Sequence, residues 1–262
     1  MKAGISIRVV AVLIAVFLVL PTIIVVATSF TEARIITFPP KGFSLQWFEE
    51  ILTSRRWMGA LQNSLVAGLI AAAIAMVVGV SLAMAAARGT WMPRTALTMF
   101  SLLPMLVPLV VIALGVYLVF VQFGFYGNVW SFGVAHSLLG VPFVFVNVLA
   151  ALTGLDPRVE EAARVSGASY PVTLIRITIP QILPSALIGG LFAFIASWDE
   201  VVIANFLATP GFKTIPVMIW GQVREGLEPT TSAVSTILTA VTFVIFIFVT
   251  ILNIRKSRRK TR

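Results

Sequence analysis

Six long apolar runs constrain this chain more than any other feature of its sequence. They lie at approximately 8–30, 60–87, 95–121, 131–153, 182–207 and 231–254. A helix needs about 20 apolar residues to cross roughly 30 Å of hydrocarbon, and each run is long enough. Only 11% of the residues are charged, against roughly 25% in a soluble domain. The sequence therefore predicts an all-α integral membrane protein, with six transmembrane helices in a single domain over residues 1–262.

The first run must be distinguished from a signal peptide, because it also follows basic residues. It extends from Val9 to Ala27, which is longer than the apolar core of about 7–15 residues in a signal peptide. No cleavage site with small residues follows it. We therefore predict a first helix that is retained.

The distribution of Lys and Arg predicts that both termini are cytoplasmic. With the N-terminus inside, 13 of the 19 basic residues fall in inner segments and 6 in outer segments, as the positive-inside rule requires. Part of this excess is the basic tail Arg255–Arg262. Because the tail directly follows an apolar run, we interpret it as a membrane anchor and not as a nucleic-acid site.

The second run carries small residues at every fourth position, which places them on one face of a helix. They are Ala67, Ala71, Ala75, Gly79, Ala83 and Ala87. Small side chains allow helices to approach closely in lipid. The face is either a static internal packing surface or a surface that slides or dimerises.

Prolines interrupt the third and fourth runs at Pro104, Pro108 and Pro142. Each removes a backbone hydrogen bond and kinks or breaks a helix, so these helices either surround a cavity or carry ordinary kinks. The single histidine, His136, has no evident ligand partner and is interpreted as a packed or interfacial residue. The aromatic segment 45–52 predicts a short helix at the outer interface.

A polar segment at 154–181 separates the fourth and fifth runs. The Asp-Pro pair at 156–157 predicts a helix start, because Asp accepts from free backbone N–H groups and Pro suits the first helical position. Gly167 is suited to end that helix. A second short helix is expected over 171–178, closed by Pro180. The segment is thus predicted to form a short helix pair on the cytoplasmic side.

The spacing within this segment resembles the cytoplasmic EAA motif of ABC importer permeases. That motif runs Glu-Ala-Ala, three residues, Gly, nine residues, Ile, one residue, Leu, Pro. The residues in register are Glu161, Ala162, Ala163, Gly167, Ile177 and Pro180, with Ile179 in place of Leu. The resemblance extends over residues 60 to 254 and agrees with the six-run layout.

The resemblance implies that the segment couples the chain to a partner ATPase. In that family two permease subunits form the path, and each seats its EAA helix on a cytoplasmic ABC ATPase dimer that binds ATP and Mg. An extracytoplasmic solute-binding protein delivers the solute. The implied location is the bacterial inner membrane, and a homologous second permease is expected. Carried over to this chain, the implied coupling residues are Glu160, Glu161, Ala162, Ala163, Gly167, Ala168 and Ser169.

Enzymatic chemistry is not expected in this chain. It has no Gly-x-x-x-x-Gly-Lys-[Ser/Thr] phosphate loop, so ATP hydrolysis is assigned to a partner. With no Cys and one His, the sequence predicts no metal site and no nucleophilic catalytic set. We expect the chain to hold no cofactor of its own.

The fifth run contains a second segment that resembles this family, Trp198-Asp199-Glu200-Val201-Val202. It is similar to the corresponding region of the shorter permease subunit in spermidine/putrescine importers. Intramembrane acids are costly and usually face a cavity or a partner. Asp199 and Glu200 therefore either attract a cationic solute, form an outer gate, or make a structural pair with a basic residue such as Arg55, Arg56 or Arg224. The candidate substrate path is Trp198, Asp199, Glu200 and Asn205. Trp198 and Asn205 either line this path, since aromatic faces attract ammonium groups, or face lipid headgroups.

These features predict the permease subunit of an ATP-driven importer, most like one for polyamines. Importers of other small organic solutes, such as an amino acid-like compound, an opine or an aminophosphonate, are the alternative within the family. A stand-alone secondary transporter is the alternative of a different class, although no inverted repeat is visible in the sequence.

Overall fold

The computed structural model describes residues 5–89, 92–226 and 228–260, and these fold as α-helices joined by short loops without a β-strand. The predicted all-α fold is confirmed. Residues Leu174–Thr178 form a π-helical turn. The helices are α1 (Ile5–Thr28), α2 (Gln46–Thr53), α3 (Arg55–Arg88), α4 (Arg94–Leu106), α5 (Leu109–Gln122), α6 (Val129–Thr153), α7 (Pro157–Val165), α8 (Tyr170–Thr173), α9 (Ile179–Trp198), α10 (Val202–Leu207), α11 (Ile215–Glu225) and α12 (Pro229–Lys260).

Four helical segments of the described chain are long and apolar enough to cross a membrane. They are Val9–Thr28, Arg55–Arg88, Val129–Thr153 and Tyr170–Trp198. The bent pair α4 and α5 makes a fifth if it is one span, and Pro229–Val244 is a shorter apolar helix. The count of six spans and the cytoplasmic position of both termini stay predictions. The side chains of the basic tail, 255–262, lie outside the described residues.

The third predicted span, 95–121, is not one straight helix. It divides into α4 and α5, whose axes differ by 96°. The break falls at Val107 and Pro108, which have extended backbone angles (ψ 134° and 129°), because proline disfavours helical geometry in the residue before it. Pro104 and Pro142, in contrast, lie inside continuous helices.

The fifth predicted span, 182–207, is also wrong as a continuous helix. It begins earlier than expected and ends at Trp198, and the short helix α10 follows after residues 199–201. Its start was misjudged because Pro180 does not close a helix. Pro180 lies within the continuous helical run Tyr170–Trp198, directly after the π-helical turn Leu174–Thr178.

The chain divides into two compact units, Met1–Met58 with Ile219–Arg262, and Gly59–Met218. The prediction of a single domain over 1–262 stays a prediction. In the first unit α12 packs against α1 and α2. The Thr28 hydroxyl donates to the Ser232 hydroxyl at 3.1 Å, and both residues are buried. The short helix expected over 45–52 is present as α2, and its position at the outer interface stays a prediction.

In the second unit α6 packs along α9, and α4 and α10 also contact α6. The small-residue face of α3 is buried here, with Ala71, Ala75 and Ala83 fully inaccessible. A Cβ on Gly79 would lie 2.7 Å from Cβ of Val144 in α6. This face therefore packs inside the chain, and whether it also slides during transport stays open. Gly140 and Gly189 let α6 approach its neighbours equally closely.

Candidate functional site

The predicted coupling segment forms the helix α7, and local interactions define both of its ends. The Asp156 carboxylate accepts from the Arg158 N–H at 3.0 Å, and Pro157 occupies the first turn. At the other end the N–H of Gly167 donates to the Arg164 carbonyl, and that of Ala168 to the Ala163 carbonyl. This pair of bonds is the Schellman motif. Gly167 has φ +93°, so the prediction that it ends the helix is confirmed.

The first four coupling residues, 160–163, lie on α7, which has no fully buried residue, and the other three, 167–169, lie in the turn that follows it. Val165, an apolar residue of this helix, is 89% exposed. Beside α7 is a shallow groove of about 590 Å³, lined by Glu161, Arg164, Val165, Ala168, Ser169 and Tyr170. Three of these were expected from the motif, and Arg164, Val165 and Tyr170 were missed.

Glu160 differs from the exposed residues around it because its carboxylate is engaged within the chain. Its Oε2 accepts from Arg88 Nε at 3.2 Å, and its Oε1 accepts from the Thr178 hydroxyl at 3.0 Å. Thr178 is buried, and the Arg88 and Glu160 side chains are each about one-quarter exposed. The structure thus joins the end of α3 to α7 and to the turn before α9.

The second acid expected in the substrate path, Glu200, is buried. Its two carboxylate oxygens accept from the N–H groups of Ile203 and Ala204, each at 2.8 Å, which satisfies the first turn of α10. His136 Nε2 lies 3.2 Å from Glu200 Oε2, an ion-pair distance without hydrogen-bond geometry. His136 Nδ1 forms a 2.7 Å hydrogen bond with the Ser197 hydroxyl. The structural partner of Glu200 is therefore His136, and not one of the arginines that the sequence suggested.

The other three residues of the expected path have different surroundings. Trp198 is buried and stacks on Phe194 with ring centroids 5.6 Å apart. Asp199 and Asn205 are exposed, and Asn205 donates to the Val201 carbonyl at 2.9 Å. Of the acidic pair, only Asp199 thus presents its carboxylate at the surface of the chain.

Sequence reasoning missed the His136–Ser197–Glu200 cluster, although it correctly placed His136 as a packed residue. The available signal was an acid inside an apolar run, which needs a polar partner in the membrane, together with one histidine in a neighbouring run. The pairing of Arg88 with Glu160 was not predicted either, because the end of α3 and the helix α7 are far apart in the sequence and meet only in the folded chain.

The family of the chain follows from comparison with known proteins. A family model described as "binding-protein-dependent transport system inner membrane component" matches residues 75–258. The chain belongs to this family. It is an ABC importer permease, and a multi-pass protein of the bacterial inner membrane.

Individual relatives and a solved structure agree with this assignment. The permease is 31% identical over 222 residues to the spermidine/putrescine transport system permease protein PotC of Haemophilus influenzae, covering 85% of this chain and 86% of that protein. It is 28% identical to the putrescine permease protein PotI of Escherichia coli, covering 94% and 90%. A bacterial alginate ABC transporter, crystallised with a periplasmic protein that holds alginate pentasaccharide, has the same fold. Its TM-score is 0.67 at 17% identity, with 98% and 95% of the chains covered.

Replacing Gly167 with leucine is expected to leave membrane insertion intact and to lower solute uptake. Among the described residues nothing lies within 4 Å of a Cβ on Gly167, so the expected cost of about 1–2 kcal/mol comes from the left-handed backbone conformation. This strain would loosen the turn that follows α7. Uptake by membrane vesicles and the amount of inserted permease are the measurements.

Two variants provide controls for this prediction. Gly167→Asn should retain more uptake than the leucine variant, because asparagine tolerates the left-handed conformation. Gly211→Leu, at a second glycine with open space around it, should transport normally. Normal uptake by Gly167→Leu would contradict the expected coupling role of this turn.

Proposed function

We propose that this permease forms half of the membrane path of an ATP-driven importer for polyamines of the spermidine and putrescine type. The observation that carries the proposal is the similarity to PotC and PotI, which extends over at least 85% of this chain. Both relatives are described as polyamine permeases. The exposed carboxylate of Asp199 supports the same substrate class, since polyamines are cations.

The proposal includes three kinds of protein partner. A second, homologous permease completes the path, and a cytoplasmic ABC ATPase dimer holds ATP and Mg and receives α7. An extracytoplasmic solute-binding protein delivers the polyamine, which is supported by the family description and by the alginate transporter crystallised with its periplasmic protein. The permease itself contributes no cofactor.

The residues of α7 and its groove have separate roles in this proposal. Glu161, Ala162, Ala168 and Ser169 form the surface that seats on the ATPase, where the small side chains permit close approach. Ala163 is half-buried and supports the helix from beneath. Gly167 turns the chain away from that surface. Movement of the ATPase subunits would then displace α7 and open the path alternately to either side.

Purification of the permease in mild detergent from its native host tests this function. We expect an ATPase, a second permease and a binding protein to be recovered with it. In proteoliposomes, spermidine or putrescine should stimulate ATP hydrolysis and accumulate inside. Accumulation of an aminophosphonate or an amino acid instead would replace the substrate class, and recovery of the permease alone would favour a stand-alone transporter.

Replacing Asp199 with asparagine is expected to lower the uptake of spermidine by about tenfold, since a hydrogen bond to a charged group contributes roughly 1.5–3 kcal/mol. The matched control is Glu49→Gln, which removes one carboxylate from an exposed position in α2 and should transport normally. Initial uptake rates at several spermidine concentrations are the measurement. Equal rates for Asp199→Asn and the control would exclude Asp199 from the path.

A further inference from the structure

Glu160 is the point at which α7 is hydrogen-bonded to the spanning helices. Among the described residues, the side-chain hydrogen bonds from α7 to α3 and to the turn before α9 end on its carboxylate. The next residue, Glu161, is exposed. Two adjacent acids of α7 therefore occupy different environments, and of the two only Glu161 is exposed for contact with another protein.

The geometry at Glu160 gives each carboxylate oxygen one partner. Arg88, the last residue of α3, donates to Oε2, and Thr178, the last residue before α9, donates to Oε1. The Nη2 of Arg88 is buried and has no hydrogen-bond partner among the described residues. Glu160 is thus the group that holds this guanidinium, and its loss would leave a partly buried charge without compensation.

The turn that contains Thr178 is unusual. Residues Leu174–Thr178 form a π-helical turn, in which the Ile179 N–H donates to the Leu174 carbonyl five residues earlier. Turns of this kind occur as local insertions in α-helices and are frequent at functional sites. One carboxylate of α7 therefore meets α9 at the place where the helical pattern changes.

We propose that Arg88, Glu160 and Thr178 form a brace that transmits the movement of α7 to α3 and α9 together, an inference that rests on the proposed seating of α7 on an ATPase. Because α7 has no fully buried residue, apolar packing alone holds it weakly. The bond between Arg88 and Glu160 is charge-assisted, and such hydrogen bonds are stronger than neutral ones. Glu160 is accordingly a positioning residue, which acts through the two helices and does not contact the ATPase.

The test compares Glu160→Ala with Arg158→Ala, a control in the same turn of α7 whose side chain is exposed. Both are purified as the full complex and reconstituted with the binding protein and spermidine. We expect both complexes to retain the ATPase and to hydrolyse ATP. The Glu160→Ala complex should transport about tenfold fewer solute molecules per ATP hydrolysed, whereas the control keeps the wild-type ratio.

Exchange of the two charges distinguishes a brace from a merely structural residue. Arg88→Glu alone places two carboxylates together and should lower the ratio at least as far as Glu160→Ala. The double variant Arg88→Glu, Glu160→Arg restores an ion pair and should recover much of the ratio. If Glu160→Ala does not accumulate, Thr178→Val gives the same measurement, because it removes only the hydroxyl bond.

Three results would overturn the brace. They are a wild-type ratio in Glu160→Ala, no recovery in the exchanged pair, and loss of the ATPase from the Glu160→Ala complex, which would make Glu160 a contact with the ATPase. Failure of the proposed function itself has a different signature, since the wild-type permease would then be recovered without an ATPase.

Discussion

Replacing Glu200 with alanine is expected to destabilise the permease by about 3–5 kcal/mol, the usual cost of removing one partner from a buried pair. Two N–H groups of α10 would lose their acceptors, and His136 would lose the carboxylate 3.2 Å from its Nε2. We expect little folded permease to be recovered. The measurement is thermal stability in detergent, followed by size-exclusion chromatography after heating.

Two further substitutions make this prediction specific. Glu200→Gln keeps one side-chain oxygen for the first turn of α10 and should cost less than alanine. Asp199→Asn changes the adjacent acid, which is exposed, and should leave the thermal stability close to that of the wild type. Equal stability of Glu200→Ala and Asp199→Asn would show that the buried cluster does not hold α10 in place.

Replacing Gly189 with alanine is expected to destabilise the packing of α9 on α6 by about 1–3 kcal/mol, as overpacking does in other cores. The added Cβ would lie 2.6 Å from Cα of Val144 and 3.1 Å from the carbonyl oxygen of Phe143. Both are backbone atoms of α6, which cannot rotate away as a side chain can. The two helices would have to separate along their contact.

The same substitution at Gly115 in α5 is the matched control, because no atom of the described residues lies within 4 Å of a Cβ there. Gly115→Ala should be neutral or stabilise the helix by about 0.5–1 kcal/mol, since alanine restricts the unfolded chain more than glycine does. The measurement is the melting temperature of Gly189→Ala and Gly115→Ala in detergent. Similar melting temperatures would contradict the close packing of α6 and α9.

Asp199 is exposed and Glu200 is buried, and this difference affects how the proposed function can be tested. Glu200 accepts hydrogen bonds from the backbone of α10 and lies beside His136, so substitution there changes the fold and not recognition alone. Attraction of a cationic solute is therefore tested by substitution of Asp199 alone. A double substitution of both acids would mix the two effects, and the single variants separate them.

Much of the fold could be predicted from the sequence because the relevant forces act locally. The length and hydropathy of an apolar run depend only on consecutive residues and on the thickness of the bilayer. The beginning of α7 at Asp156 and Pro157 and its end at Gly167 follow from capping, which involves residues within one or two turns. The EAA motif indicated the family because its residues lie close together in the sequence, between Glu161 and Pro180.

Tertiary structure alone decided which acids are engaged within the chain. His136 and Glu200, like Arg88 and Glu160, are far apart in sequence and meet only because α6 packs along α9 and α7 folds back toward the end of α3. The Glu200 carboxylate starts α10 through local bonds to Ile203 and Ala204, whereas its pairing with His136 depends on the packing of α6 on α9. Hydropathy describes one segment at a time, whereas the position of a buried charge depends on which segments pack together.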